Sequence, residues 1–238
     1  MTTHDNNTTT VPNWLNGPML AVDVETTSVD PESARIVSAA VAAVGGGAEP
    51  RTTAWLVNPG IEIPAEATAI HRITTEQARS DGRAPADVLP EIITALTTAL
   101  AAGHPLVVFR APYALTALAR ECDRHDLPFP TQMAPVLDPS VLDRHADRYR
   151  RGRRTLPALC EHYAVRHDGP NNATEDALAA ARLAWRLPRA HSHFASLALT
   201  DLHARQQEWA TEQATNLQHH LRRTDPTAIV DGTWPLIT

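Results

Sequence analysis

Apolar positions are grouped along the chain with two different spacings, and the change between them predicts an order of strands and helices. Short apolar or β-branched runs predict strands at residues 19–24, 35–44, 52–57, 106–109 and 136–137. Apolar residues that recur every three or four positions predict helices at residues 87–101, 156–163, 174–187 and 200–223. Three strands followed by alternating strands and helices are typical of an α/β domain.

Turn and cap residues agree with this order. Three consecutive glycines, Gly45 to Gly47, separate the second and third strands, so the first three strands are expected to form a meander. Thr74 or Thr75 can cap a short helix, and Pro112 suits the first turn of a helix that follows the fourth strand.

The two ends of the chain differ in composition from the middle. Residues 1–18 are rich in Thr, Asn and Pro and are expected to be a disordered leader. Residues 19–189 are expected to form the main domain, and residues 190–238 a polar C-terminal helix with a tail. The tail is apolar at residues 229–237 and is expected to dock back onto the main domain.

Composition limits the function classes. The chain has 238 residues, of which 43% are hydrophobic, so it can bury one substantial core. Its net charge is −6 and all 21 of its Lys and Arg positions are arginine, so any nucleic-acid site must be local. Cys122 and Cys160 lack metal-ligand spacing, which favours buried free thiols. No apolar run could span a bilayer and the first residues lack a signal layout, so a cytoplasmic location without membrane contact is expected.

Carboxylates supply the candidate chemistry. Asp23 and Glu25 close an apolar strand as an Asp-x-Glu pair, which can place both carboxylates where they hold a divalent cation. A third carboxylate, Asp176, lies near the start of a predicted helix.

Three motifs follow one another in the chain. They are Asp-x-Glu-Thr-Thr at residues 23–27, an aromatic-containing segment at 107–114 after a later strand, and Asn-Ala-x-x-Asp-Ala at 172–177. In this order they resemble the motifs of DnaQ-like, DEDDh-type 3′-5′ exonucleases, and His71 matches a further His-Gly-Ile-Thr landmark in which Arg72 replaces the glycine. The resemblance implies an exonuclease-like main domain with a ribonuclease H-like α/β fold, a mixed five-stranded sheet flanked by helices.

The same resemblance implies two Mg²⁺ or Mn²⁺ ions among four carboxylates, with a histidine that takes a proton from the attacking water. Asp23, Glu25 and Asp176 match three of the carboxylates and are assigned as catalytic and metal-binding residues. Ala114 stands at the position of the fourth carboxylate, and Asn171 at that of the histidine. A general base contributes about 10²- to 10⁴-fold in rate. Reduced or lost turnover is therefore expected, with one bound ion favoured over two.

Neighbouring residues offer substitutes for the missing groups. His167 and Asp168 lie on the loop before the third motif, and His167 is the candidate for the missing base. Glu175 adjoins Asp176, but adjacent positions on a helix point to different faces.

Arg110 replaces an asparagine of the family motif. Its guanidinium could neutralise Asp23 or Asp176, or bind a phosphate in a bidentate manner. The alternative is that it turns to solvent and pairs with a surface acid, at little energy. Together with Thr26 and Thr27, Arg110 is assigned to nucleic-acid binding.

A basic segment follows the second motif. It consists of six arginines within eleven residues: Arg144, Arg148, Arg150, Arg151, Arg153 and Arg154. Such a stripe on an acidic chain predicts contact with a nucleic-acid backbone, and the last four arginines are assigned to it. A solvated face without a ligand is the alternative.

Three function classes remain open. The first is a slow, metal-dependent 3′-5′ exonuclease that acts on the 3′ ends of single-stranded DNA or RNA. The second is a non-catalytic module that binds such ends or nucleotides. The third is a pocket repurposed for a small metabolite, or a scaffold for protein interactions. Membership of a fold family does not choose among them.

Overall fold

The computed structural model describes residues 13–130 and 132–237. Its strands are β1 (Met19–Thr26), β2 (Ile36–Gly45), β3 (Ala48–Leu56), β4 (Leu106–Val108) and β5 (Val136–Leu137). Its helices are α1 (Ala65–His71), α2 (Thr75–Asp81), α3 (Pro85–Ala101), α4 (Ala111–Arg124), α5 (Pro139–Ala146), α6 (Leu156–His162), α7 (Ala173–Ala190), α8 (Ser192–Ala195) and α9 (Leu199–Leu221).

The described residues that precede β1 are folded. Residues 1–12 of the predicted leader lie outside the described residues. Asn13–Asn16 form a turn of 3-10 helix, and the Trp14 indole N–H donates a hydrogen bond of 3.0 Å to the Leu197 carbonyl. The predicted leader of residues 1–18 is therefore too long at its C-terminal end, because Trp14 anchors this part to the main domain.

The five strands form one mixed sheet in the order β3-β2-β1-β4-β5. β1, β2 and β3 form the antiparallel meander predicted from the glycine turn, whereas β1, β4 and β5 run parallel. Helices pack on both faces of the sheet. This arrangement confirms the predicted α/β fold with a mixed five-stranded sheet flanked by helices.

Successive side chains of β1 point alternately to the two faces of the sheet and therefore pack against different helices. Even-numbered residues of β1 pack with α3 and α4 in one apolar core, and odd-numbered residues pack with α7 in the other. Because successive strand residues point to opposite faces, Asp23 and Glu25 lie on the α7 face. α7 contributes small buried residues to this core: Ala177, Ala180, Ala181 and Ala184. Their size allows the helix to come close to β1.

Some elements differ from the prediction. The sequence pattern predicts no helix at α1 or at α5. α5 begins after Asp138, whose carboxylate accepts a hydrogen bond of 2.9 Å from the Ser140 N–H and caps the helix. α7 runs through Pro188 to Ala190, past its predicted end at Leu187. A proline this close to the end of a helix removes a single backbone hydrogen bond, so the helix continues.

α9 covers the edge of the sheet beside β5. Gln206 of α9 is fully buried, and its amide group donates to the Val136 carbonyl at 2.9 Å and accepts from the Asp138 N–H at 2.8 Å. These bonds satisfy backbone groups that an edge strand would leave open. In the C-terminal tail, Trp234 is buried in the core formed with α3 and α4. Among the described residues, no helix combines the length and the apolar character needed to cross a bilayer.

Candidate active site

Three carboxylates converge at the C-terminal end of β1. Asp23 and Glu25 come from the strand and Asp176 from the first turn of α7. One carboxylate oxygen from each of the three residues can be selected so that all three oxygens lie within 4.8 Å of one another. Within residues 13–130 and 132–237, no other group of three or more Asp, Glu, His or Cys side chains is close enough to share an ion. The structure thus brings together the three acids that the motifs single out.

Burial and like charge raise the pKa of all three acids. Burial is the largest cause for Asp23, whose pKa lies well above its ordinary value, and the charges of Asp176 and Glu25 add to it. The pKa of Glu25 rises to about 7, first through burial and then through the charge of Asp176. Burial also raises the pKa of Asp176, while a hydrogen bond from His167 opposes the rise. A cation among these oxygens would relieve the repulsion.

The donor set fits a hard divalent cation. Carboxylate oxygens are the preferred ligands of Mg²⁺ and Mn²⁺. Asp23, Glu25 and Asp176 present such oxygens from two elements that are packed rigidly against each other. Burial raises the pKa of Asp23 and Glu25 most, the neighbouring negative charges add to it, and a divalent ion would offset that added repulsion.

His167 reaches the site from the loop between α6 and α7. Its Nε2 lies 2.5 Å from Asp176 Oδ1, and its side chain is 6% exposed. The other oxygen of Asp176 accepts a hydrogen bond of 3.2 Å from the Asn171 backbone N–H. The loop therefore holds both oxygens of Asp176, and His167 lies beside the carboxylates although it precedes the family position of the histidine by four residues.

The two asparagines at the start of α7 have structural roles. The Asn172 side chain caps the helix, accepting from the Thr174 N–H at 3.1 Å and the Glu175 N–H at 3.3 Å. Asn171 has a φ of 64°, a left-handed conformation that asparagine tolerates better than most residues. Since an amide does not accept a proton near neutral pH, the family position of the histidine holds no base.

The family position of the fourth carboxylate is filled by the buried Ala114. Asp138 is a fully buried acid at the start of α4, but its oxygens accept from the backbone N–H groups of Arg110 at 3.1 Å, Ala111 at 2.8 Å and Ser140 at 2.9 Å. Asp138 thereby joins the starts of α4 and α5. Asp138 is not part of the cluster of acids that lie close enough to share an ion, so it does not replace the missing ligand.

Arg110 does not neutralise the carboxylates. It precedes α4 with a φ of 57°, its side chain is exposed, and its guanidinium carbon lies 5.9 Å from the centroid of the Phe109 ring. It makes no ion pair within 4.0 Å among the residues that the structure describes. Its charge instead contributes, after burial and the charge of Arg154, to lowering the pKa of Arg144. The ion pair with Asp23 or Asp176 that the sequence suggested is not formed.

The two threonines after Glu25 use their hydroxyl groups inside the protein. Thr26 Oγ1 donates to the Ser28 carbonyl at 3.0 Å and is hydrogen-bonded to the Tyr113 hydroxyl. Thr27 Oγ1 accepts from the Arg35 N–H at 3.0 Å, and both threonines are buried. They hold the chain that leaves β1, so their hydroxyl groups are not available to the nucleic acid to which the sequence assigned them.

The basic segment divides into paired and exposed arginines. Arg150 and Arg154 contact the fully buried Asp143 at 3.1 and 2.5 Å, and their side chains are only 11% and 13% exposed. Binding a phosphate through these two residues would break a buried ion pair, so their predicted role in nucleic-acid contact is replaced by a structural one. Arg151 and Arg153 are exposed.

Asp143 was not identified from the sequence as a residue that holds the basic segment. Asp143 also accepts a hydrogen bond of 3.0 Å from the Tyr163 hydroxyl, so it holds Arg150, Arg154 and Tyr163 together. In the sequence, Asp143 directly follows the apolar residues Val141 and Leu142. This position indicates a buried acid only once α5 is recognised as a helix.

The comparison with protein families agrees with this site. The RNase T family model, described as an exonuclease, matches residues 20–184, a span that contains all three carboxylates. No curated protein matches the sequence.

Solved exonucleases share the fold. E. coli exonuclease I in complex with a dT13 oligonucleotide superposes with a TM-score of 0.61 at 17% identity, over 75% of this chain and 43% of that one. The zinc-ion-bound form of the E. coli exonuclease I–ssDNA complex gives 0.62 at 16% identity, over 87% and 45%. The nuclease domain of 3′hExo, a DEDDh family member bound to rAMP, gives 0.61 at 18% identity, over 74% and 94%. The chain spans less than half of the exonuclease I chains, and these likenesses confirm the ribonuclease H-like fold.

Proposed function

The chain belongs to the RNase T family of exonucleases, and on this premise we propose that it acts on or binds the 3′ ends of single-stranded nucleic acid through a divalent-metal site, with reduced or lost nuclease turnover. The observation that carries the proposal is the convergence of Asp23, Glu25 and Asp176 within 4.8 Å. The departures from the family pattern at Ala114 and Asn171 carry the expectation of low turnover. The oligonucleotide and rAMP bound to the related structures support a nucleic-acid end or a nucleotide as the ligand.

Asp23, Glu25 and Asp176 would hold one Mg²⁺ or Mn²⁺ ion. Such an ion, when bound, supplies Lewis-acid polarisation of a phosphodiester oxygen. A second ion would lack the carboxylate that Ala114 replaces, and hard cations bind weakly without anionic ligands.

His167 positions Asp176 in this proposal. A histidine N–H against a ligating carboxylate fixes the orientation of its oxygens, as partners behind metal ligands commonly do. Because Nε2 faces Asp176 at 2.5 Å, that nitrogen cannot take a proton from a water at the same time. The chain thus retains a held ligand set, while the family position of the base is an asparagine, which is expected to cost about 10²- to 10⁴-fold in rate.

Restoring the two missing groups tests the proposal. The variant Ala114→Asp with Asn171→His is expected to release nucleotides from a 3′-labelled oligonucleotide in Mn²⁺ at least about 10²-fold faster than the natural protein. Histidine tolerates the left-handed backbone at position 171, so this substitution suits the observed φ. Adding Asp23→Asn to the double variant is the matched control and should abolish the gain.

Three results separate the function classes. If the natural protein already degrades the substrate at the rate of the double variant and Asp23→Asn abolishes this activity, reduced turnover is wrong. If the natural protein binds the oligonucleotide but does not hydrolyse it, the protein is a non-catalytic binding module. The replacement of the family acid by Ala114 and of the family histidine by Asn171 favours this second class. If it neither binds nor hydrolyses the oligonucleotide, the nucleic-acid function is rejected.

A further inference from the structure

A groove leads away from the candidate active site along α5 and α9. Two adjoining cavities form it, of about 340 Å³ and about 640 Å³, and Gln213 of α9 lines both. The smaller, inner cavity contains Arg110 and Tyr113, and the larger, outer cavity contains Arg144 and Tyr149. The two cavities therefore adjoin at Gln213, between the start of α4 and the loop after α5.

The inner end of the groove lies next to the strand that carries the carboxylates. The Tyr113 hydroxyl is hydrogen-bonded to that of Thr26, which directly follows Glu25. β4 runs parallel to β1 and its last residue, Val108, pairs with Val22, so the chain after β4 emerges at the same end of the sheet. A strand of nucleic acid that ended at the carboxylates would enter the groove here.

Two cations in the groove are left without an acid. Neither Arg110 nor Arg144 forms an ion pair within 4.0 Å in the described part of the chain. The pKa of Arg144 is lowered by the loss of hydration in the groove and then by the charges of Arg154 and Arg110. Arg110 lines the inner cavity and Arg144 the outer one, and cations placed along a groove favour anions such as a row of evenly spaced phosphates.

The outer end of the groove offers an aromatic surface. Tyr149 is 86% exposed, and the guanidinium carbon of Arg148 lies 5.8 Å from the centroid of its ring. Arg148 also pairs with Glu212 on the opposite side of the groove at 3.1 Å. An exposed ring beside an arginine is the arrangement on which the bases of a single strand stack. Tyr149 lies outside the apolar core and lines the outer cavity, where its ring is open to solvent.

We propose that this groove binds the single strand upstream of the 3′ end, with Arg110 and Arg144 contacting phosphates and Tyr149 stacking on a base. The inference rests on the proposed function, because it needs a nucleic-acid end at the carboxylates. It places phosphate contact on Arg144, outside the set assigned from the sequence, and removes it from Arg150 and Arg154.

Fluorescence anisotropy of the full chain with a 5′-fluorescein-labelled oligo(dT), protected at its 3′ end by phosphorothioates, tests the groove. Arg144→Gln is expected to weaken binding and to reduce the slope of log K against log salt by about 0.7, the value for one lost phosphate contact on a single strand. Arg79→Gln removes an exposed arginine of α2 that does not line the groove and is expected to change the affinity less than about twofold. Arg110→Asn should act like Arg144→Gln while keeping a residue that accepts the left-handed backbone.

Two substitutions of Tyr149, one that removes the ring and one that keeps it, test the stacking contact. Tyr149→Ala is expected to weaken binding at least about fivefold, whereas Tyr149→Phe keeps a ring and should retain most of the affinity. Glu212→Gln removes the acid that holds Arg148 and is expected to tighten binding. Oligo(U) of the same length distinguishes RNA from DNA as the preferred strand.

The outcomes separate this inference from the proposed function. If the natural protein binds the oligonucleotide but Arg144→Gln and Tyr149→Ala behave like Arg79→Gln, the groove is wrong and the proposed function stands. If the natural protein binds neither oligo(dT) nor oligo(U), both are overturned. All the variants change exposed side chains, so unfolding is checked by their thermal midpoints and does not obscure the comparison.

Discussion

The Nε2 atom of His167 lies 2.5 Å from Oδ1 of Asp176, which joins a loop residue to the only acid of the trio that comes from a helix. This contact opposes the effect of burial, which raises the pKa of Asp176. A chain without the family histidine thus still has a histidine at the site, but in a supporting position.

The His167 contact should be visible in stability. His167→Ala removes a hydrogen bond to a charged group, so in the absence of divalent cations we expect the free energy of unfolding to fall by about 1 to 3 kcal/mol. Chemical denaturation measures it, with His219→Ala, an exposed histidine on α9, as the control. Mn²⁺ should increase the difference, because the natural protein, in which His167 holds Asp176, is expected to bind the ion more tightly. An unchanged unfolding midpoint in His167→Ala would contradict a holding role for His167.

Glu25 should make the cation-free protein less stable as pH rises. Its pKa is raised from an ordinary value of 4.5 to about 7, so between these values the folded state binds more protons than the unfolded state. The free energy of unfolding therefore falls as pH increases through this range, by about 1 to 3 kcal/mol for this group. Glu25→Gln should flatten the fall, and Mn²⁺ should flatten it in the natural protein. A stability that rises between pH 5 and pH 7 and is insensitive to Glu25→Gln would refute the assignment.

Substitution of Asp138 and of Asp23 should have opposite effects on stability and on Mn²⁺ binding. Asp138 accepts hydrogen bonds that join α4 and α5, so Asp138→Asn is expected to lower stability by about 1 to 3 kcal/mol and to leave Mn²⁺ affinity unchanged. Asp23→Asn removes a charge that two other acids repel, so it should abolish Mn²⁺ binding and raise the stability of the cation-free protein. Calorimetric titration with Mn²⁺ and denaturation in EDTA measure the two effects. Loss of Mn²⁺ binding in Asp138→Asn would identify Asp138 as the fourth ligand.

Asp143 should be among the most sensitive positions of the basic segment. Asp143→Ala leaves Arg150 and Arg154 nearly buried without their shared acid, and breaking such a pair is expected to cost about 3 to 5 kcal/mol. Glu212→Ala breaks the exposed pair with Arg148 and should cost less than about 1 kcal/mol. Urea denaturation of the two variants gives the comparison. Equal costs would show that Arg150 and Arg154 find other partners.

Local patterns were sufficient for much of the fold. The change from strand to helix spacing predicted the meander, β4, β5 and the long helices, because each of these elements buries one face with a regular period. α5 escaped prediction because arginines crowd its C-terminal end and mask the short apolar face at Val141 and Leu142. The folded turn at Asn13–Asn16 escaped because its partner, the Leu197 carbonyl, is remote in sequence.

By itself the sequence determined the chemical identity of the motif positions: acids at Asp23, Glu25 and Asp176, and no acid or base at Ala114 and Asn171. These identities are local, and the period of a strand is enough to place the first two acids on one face.

Only the tertiary structure decided which partners the charged residues have. It placed His167 on Asp176, bound Arg150 and Arg154 to Asp143, and left Arg110 facing a groove rather than the carboxylates. Such pairings join residues from different loops and helices. They depend on how those elements pack against one another, and the spacing of residues along the chain does not encode that packing.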